Sequence, residues 1–545
     1  MNTRLFSAAA ILATLASSQV ASALPSSSTN PRMLAEAYGN YASAELDPAL
    51  DGELDTHMAD IVGTGSLTNG AVLEVARFGK IVYSDAVGTL HGGDAQAIQN
   101  AGLSTSAAMA TDTIFDLESM TKLTTAALIV RLAELGHLDL NDPVTMYIPE
   151  FAESHVYNAN FDGWDLDANN DPILVSDADK ATVKIIDLLT YRAGTALDAE
   201  YWDPVYGSAD PWVTMAHVPL HYAPGTTQMY SDLGYRLLGH IAEVAMLAPM
   251  HELVRQYITT PMQMTDTAYE PSVYMSGNLV SYQTGAGTHF VWSTENSLDR
   301  VAGTGPSSGG VRAYAFAEVQ DDNDHWTQRH NTIHKDKYGN VVNIPIGTAT
   351  APSGTGCDGL FTTVRDFMKL GQVFLNAGKA VVPAPRGTVC AVAPCVVHNP
   401  IFTPADVADM TAVPTPTATF QPLIPSASYP TSPGFAESLV HGHKAFGWEL
   451  SDGGAFSPSG VIATTNVVTK TGGAGTYIKV DFANDTIAVL LTNHGLPSFD
   501  YYASGINEAP GYMISWPAFD DMLDESRFAP INDSIAGNFT CPSCQ

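Results

Sequence analysis

Positive charge is scarce in this chain: 24 lysines and arginines stand against 57 aspartates and glutamates, a formal net charge of −33. A surface so acidic excludes nucleic acid and anionic membrane as partners, because both are held by basic patches. Taken alone, the carboxylate excess is a solubility trait of the surface rather than a specific site. Cysteine is also sparse, with five residues in 545. Cys390 with Cys395, and Cys541 with Cys544, are spaced for two small disulfide loops, which leaves Cys357 over and buried. The two spacings differ and no histidine pattern accompanies them, so no metal and no cofactor is expected. Long apolar runs are missing too. The run at residues 5–16 is short, and no later segment reaches the roughly 20 apolar residues of a spanning helix.

That first run has a use of its own. Residues 1–23 carry Arg4, the apolar stretch and then Ala21-Ser22-Ala23, the pattern of a secretory signal peptide with its cleavage site, so the protein is expected to be secreted. Asn484-Asp485-Thr486, Asn532-Asp533-Ser534 and Asn538-Phe539-Thr540 fit the N-glycosylation acceptor pattern.

After an N-terminal segment at 24–45, a helix-like stretch near 46–61 precedes two β-prone runs at 71–83 joined at Gly79, a hairpin signature. A second β-rich pair occupies 475–480 and 486–491, and helical segments lie between, notably 233–245 and 364–375. Strands from both ends enclosing a helical middle predict an α/β (α+β) fold, a sheet domain interrupted by a largely helical one. Residues 46–500 read as the catalytic domain, with insertions near 155–180, 271–355 and 380–435, and 501–545 as a C-terminal extension. Asp165-Leu166-Asp167-Ala168-Asn169-Asn170-Asp171 has oxygens at alternate positions like the start of a calcium loop. It lacks the glycine at the sixth position and the closing glutamate, so it reads as a solvated acidic loop. His441-Gly442-His443 reads as surface histidines.

Three segments carry chemistry. Ser119-Met120-Thr121-Lys122 follows a strand-like run and precedes apolar residues at helical spacing, which close at Gly136. Ser119 is therefore expected at a helix N-terminus with Lys122 about a turn further on. A serine hydroxyl needs a group to take its proton. Lys122 is placed to do so, provided that burial or nearby positive charge lowers its pKa. In the second segment, Pro224-Gly225 leads through Tyr230-Ser231-Asp232 into a helix, which puts Tyr230 on a loop; beside a lysine ammonium its phenol is expected to have a lowered pKa and to shuttle protons. In the third, Lys470-Thr471-Gly472-Gly473 runs into a strand, where small residues admit a substrate backbone and a free N–H stabilises an oxyanion.

In this order the three segments resemble the signatures of the serine β-lactamase and penicillin-binding protein superfamily. The stretches around Phe115, residues 186–194, Gly359-Leu360-Phe361-Thr362-Thr363 and Leu491-Thr492-Asn493 are similar to its class C β-lactamase-related branch, which also holds carboxypeptidases, D-aminopeptidases, esterases and acyltransferases. The resemblance implies an antiparallel sheet flanked by helices, with a largely helical domain beside it and the active site between. It implies Ser119 as acylated nucleophile, Lys122 as base and Tyr230 as proton relay. It further implies an oxyanion hole from the N–H groups of Ser119 and Gly473, and Lys470 assisting Tyr230 or holding a substrate carboxylate. Three departures stand out. Asp232 replaces an asparagine, Lys470 stands where many esterase-like relatives carry histidine, and Tyr191-Arg192-Ala193-Gly194 replaces a His-Thr-Ser-Gly run. The expected function is hydrolysis of an ester or amide in a small molecule or short peptide. An acyltransferase, or a binding module that acylates without turnover, would use the same residues. Oligomeric state leaves no mark in the sequence.

Overall fold

A computed structural model describes residues 31–62, 68–90, 106–154, 175–195, 215–220, 222–226, 228, 230–269, 279–284, 287–292, 333–335, 341–343, 356–390, 393–412, 444–450, 466–472, 475–493 and 528–540. The N-terminal part supplies β1 (Ala35–Glu36), helix α1 (Leu50–Ile61), β2 (Gly70–Arg77) and β3 (Lys80–Gly88). Phe78 and Gly79 join β2 to β3 with φ of 55° and 72°. Two left-handed residues in a row match the twist of a hairpin, and Gly79 adopts this conformation at no steric cost.

The middle supplies β4 (Phe115–Asp116), α2 (Thr121–Glu134), α3 (Asp232–Met246), β5 (Ala268–Tyr269), β6 (Leu360–Thr362) and α4 (Val364–Leu375). Strand β6 is the centre of a small sheet, with β4 and β5 on either side. Next come the hairpin β7 (Lys379–Pro383) and β8 (Val396–Pro400), and α5 (Pro404–Met410). This hairpin and helix lie in the stretch read above as an insertion, yet Ile401, Phe402, Val407 and Met410 are buried in the main core. The proline and threonine content of the stretch masks its short valine pairs, Val381-Val382 and Val396-Val397.

The C-terminal part supplies β9 (Glu449–Leu450), β10 (Val467–Gly472), β11 (Thr476–Asp481), β12 (Thr486–Thr492) and α6 (Phe528–Gly537). The large sheet has seven strands in the order β1-β3-β2-β12-β11-β10-β9, antiparallel except where β1 meets β3. The two ends of the chain thus meet at its centre, with Leu73 opposite Leu490.

Alternation along these strands divides the core. Val72, Ile478, Val480, Ile487, Val489 and Leu491 face α4 and the helical domain, while Leu73, Val75, Tyr477, Ala488 and Leu490 face α1 and α6. The fold is mixed α/β, an antiparallel sheet with helices on both faces. Helix α6 belongs to the stretch read as a C-terminal extension and forms part of the second core through Phe528, Ile531 and Ile535. Among the described residues no single helix is long and apolar enough to cross a membrane.

The cysteine expectations divide in three. Cys390 and Cys395 form a disulfide, and Cys357 is a buried thiol outside it. Cys541 and Cys544 lie outside the described residues, as do residues 165–171 and 441–443. Two of the three glycosylation asparagines are buried: Asn484 donates to Asp481 Oδ2 at 2.9 Å and Asn532 to the Tyr477 hydroxyl at 2.6 Å. Amides committed in this way are closed to modification in the folded protein, and of the three only Asn538 is partly exposed.

Candidate active site

Ser119 sits in a single 3-10 turn, Glu118–Met120, that leads straight into α2. The turn is pinned from three sides. Glu118 N–H donates to Asp116 Oδ1 at 3.0 Å, Leu117 N–H donates to Leu360 O of β6 at 2.9 Å, and Leu117 O accepts from Thr476 Oγ1 of β11 at 3.0 Å. Glu118 is held at φ 49°, a left-handed conformation unusual for a residue with a side chain, immediately before the serine.

Lys122 lies in the first turn of α2 and is fully buried. Its Nζ donates to Ser119 Oγ at 3.1 Å and to Cys357 O at 3.0 Å, and it makes an ion pair with Asp232 Oδ1. Its near neighbours are thus two neutral oxygens and one carboxylate. Burial, the largest single influence, pushes Lys122 down, but its neighbours, the Asp232 carboxylate foremost, together more than reverse it, so its pKa is raised above the ordinary lysine value. This corrects the expectation from sequence, in which burial and the helix dipole lower it: the dominant neighbour is a carboxylate 110 residues away in the chain.

Tyr230 donates its hydroxyl to Ser119 Oγ at 2.7 Å. The loop carrying it is fixed where α3 begins, since Ser231 caps that helix by accepting from Gly234 N–H at 2.9 Å and Asp232 is its first residue. Three lysines surround the Tyr230 ring: Lys122 and Lys470 nitrogens lie 4.9 Å from its centroid and Lys444 lies at 5.7 Å. Their charge does not lower the phenol pKa as expected. Burial of the would-be phenolate, reinforced by Asp232, pushes it well above the ordinary tyrosine range.

Lys470, on β10, is buried and donates to Glu449 Oε1 of β9 at 2.8 Å, and Lys444 reaches the same oxygen at 3.6 Å. Burial draws Lys470 down to about 8 against the pull of Glu449. Thr471 follows on the opposite face of β10, across from Tyr477. Gly472 lies so close to the nucleophile turn that a Cβ there would stand 2.5 Å from Leu117 O. Gly473 lies outside the described residues. Of the residues singled out from sequence, the structure thus assembles Ser119, Lys122, Tyr230, Asp232, Lys470 and Gly472 in one place. Among the described residues no cluster of three His, Cys, Asp or Glu side chains is arranged to hold a metal ion.

Sequence reasoning missed four participants. Tyr191, in the run that replaces His-Thr-Ser-Gly, adopts φ 57° and stacks on Tyr230 at 5.4 Å between centroids. Gln228 clamps the 444 segment to this loop, donating to Lys444 O at 2.6 Å and accepting from Lys444 N–H at 2.8 Å. Glu449 and Lys444 complete the set. A lone glutamate after Phe446-Gly447-Trp448 carries no motif, and only the tertiary pairing gives it meaning.

The beta-lactamase family profile matches residues 58–508. An N-acetylmuramyl-L-alanine amidase of Bacillus subtilis (strain 168) is 30% identical over 210 residues, 37% of this chain and 43% of that protein. The match therefore spans less than half the length of that relative. A putative D-alanyl-D-alanine carboxypeptidase of Salmonella agona (strain SL483) is 26% identical over 392 residues, 70% of each chain. Among solved structures, EstCE1, a hydrolase with promiscuous acyltransferase activity, superposes with a TM-score of 0.50 at 16% identity, covering 89% of this chain and 98% of that one. Simvastatin synthase (LovD) from Aspergillus terreus does so with a TM-score of 0.52 at 12% identity, covering 88% and 97%. At these identities the likeness is one of fold. The profile covers most of the sequence, and the chain belongs to the beta-lactamase family.

Proposed function

We propose that this chain is a secreted serine hydrolase that cleaves an ester or amide of a small molecule or short peptide through an acyl-enzyme on Ser119. The observation that carries the reading is the convergence of two proton-handling groups on one hydroxyl oxygen, Tyr230 OH at 2.7 Å and Lys122 Nζ at 3.1 Å. Both are within the reach that general acid and base catalysis needs. The form with Lys122 as ammonium and Tyr230 as phenol carries one proton too many for attack, because Ser119 then has no base. Loss of the Lys122 proton frees a lone pair toward the Ser119 hydroxyl.

Ser119 Oγ then bonds to the carbonyl carbon while its proton passes to Lys122. Collapse of the tetrahedral species breaks the bond to the leaving oxygen or nitrogen, which takes a proton through Tyr230. Water completes the cycle by adding hydroxide to the acyl carbon as its proton returns along the same pair and Ser119 leaves as alcohol. The signal-peptide pattern and the Cys390–Cys395 disulfide support the secreted reading.

A fluorescent alkyl phosphonate ester is expected to label the purified protein covalently, and Ser119→Ala to abolish labelling. Hydrolysis of p-nitrophenyl esters by the same variant is expected to fall by about 10³-fold or more. Undiminished labelling of the alanine variant would rule out Ser119 as the nucleophile.

A further inference from the structure

Resting on that function, we infer that Glu449 is a built-in carboxylate that already occupies the Lys470–Lys444 cation pair and restricts the Ser119 site to substrates whose leaving group is uncharged. The place of Lys470 decides which part of a substrate it would meet. Its nitrogen lies 4.9 Å from the ring of Tyr230, as that of Lys122 does, so a leaving group that takes its proton from Tyr230 comes close to Lys470. A carboxylate on the leaving group is the one that would seek it. That partner is present in the free protein: Glu449 Oε1 is 2.8 Å from Lys470 Nζ and 3.6 Å from Lys444 Nζ, with all three side chains buried or nearly so.

The charge balance points the same way. The ammoniums of Lys122, Lys444 and Lys470 face the carboxylates of Asp232 and Glu449, which leaves one positive charge, and the Arg236–Asp358 pair behind them cancels itself. A leaving group with its own carboxylate brings a further negative charge. It must either displace Glu449, stranding a largely buried carboxylate without its partners, or stand beside it as a like charge. An uncharged leaving group leaves the pair intact. The tendency of burial to draw Lys470 down to about 8 makes the site still less able to hold two anions.

The test uses two aryl acetates that differ only in the meta substituent of the phenol, carboxylate in one and carboxamide in the other. Each rate is normalised to alkaline hydrolysis of the same ester. The full-length wild-type protein is expected to show kcat/KM about tenfold or more in favour of the carboxamide, and to keep that preference in about 0.5 M NaCl, where repulsion by the acidic surface is screened. Glu449→Gln, which keeps the shape and removes the charge, is expected to narrow the ratio at least about tenfold by gaining on the carboxylate.

Equal or better turnover of the carboxylate by the wild type overturns the inference. So does a preference that vanishes in salt, which would belong to the net charge, and so does a phosphonate-reactive Glu449→Gln protein with an unchanged ratio. The wild-type ratio and its salt dependence decide the matter even where the variant does not fold. Absence of phosphonate labelling at Ser119 in the wild type is a different failure, which removes the hydrolase reading and this inference together.

Discussion

Asp232 is the residue that sets the protonation of the site. It opens α3, where its charge is favoured by the helix N-terminus, and the same carboxylate closes on Lys122. An asparagine at this position would leave Lys122 with its two neutral acceptors, Ser119 Oγ and Cys357 O, and no ion-paired carboxylate. The sign follows directly. The carboxylate stabilises the ammonium and raises the Lys122 pKa, so the base form is scarce until the pH is high. Acylation by the wild type is therefore expected to rise along an alkaline limb. In Asp232→Asn the largest opposition to burial is gone and Asp358 is the carboxylate left to oppose it, so the ammonium loses its proton at lower pH and the limb moves down. Phosphonate labelling rates measured against pH should show this, with the variant ahead of the wild type by about 10-fold or more on the acid side of the wild-type limb. A limb that stays in place with only a lower plateau would make Asp232 a structural residue and nothing else.

At the scale of elements, the nucleophile turn is held by the strands it touches. Gly472 ends β10 where a side chain would stand 2.4 Å from Thr476 Oγ1 and 2.5 Å from Leu117 O, so the glycine lets the sheet press against the turn that carries Ser119. Gly472→Ala must push that turn away. A displacement of about 1 Å at the reacting atom costs roughly 10²-fold in rate, and the overpacking itself costs about 1–3 kcal/mol. Slower labelling of Ser119 together with a lowered melting temperature is the expected result, and wild-type labelling by the alanine variant would contradict it.

Helix α2, the β2–β3 hairpin and strands β11 and β12 are legible in the sequence because their signals are local: apolar spacing, a glycine stop after Leu135, a two-residue turn. The order of Ser119, Tyr230 and Lys470 was legible as a motif set. Strand β9 was not, because two residues carry no periodicity, and with it went Glu449. The protonation of Lys122 and Tyr230 was misread for the same reason, since burial and the distant carboxylate of Asp232 outweigh the local dipole and lysines.

On the scale of the whole molecule, the helices α1 and α6, from the N-terminal and C-terminal parts, close on each other over one face of the sheet. Helix α6 lies against α1, Phe528 stacks on Tyr477 with centroids 4.5 Å apart, and Asn532 donates to the Tyr477 hydroxyl. Beyond the helix, Phe539 pairs with Leu46 in a β-bridge and lies 4.4 Å from the Arg77 guanidinium, while Thr540 N–H donates to Glu45 O at 3.0 Å. The face of β2, β11 and β12 that bears Leu73, Val75, Tyr477 and Leu490 therefore depends on residues well past the last catalytic strand. Ending the chain at residue 527 removes Phe528, Ile531, Ile535 and Phe539 from that core. At about 1.5–3 kcal/mol for each large side chain, the loss is roughly 6–12 kcal/mol as an upper figure. That is comparable to the 5–15 kcal/mol by which a typical domain is stable. The truncated protein is expected to be insoluble or to melt far below the full chain, although every residue assigned to the Ser119 site is retained. Phe528→Ala, which leaves the rest of α6 in place, should lower stability by about 3–5 kcal/mol and spare phosphonate labelling below its melting transition. A truncated chain with the full-length melting temperature would show the C-terminal helix to be an appendage, and would refute the dependence of the sheet on it.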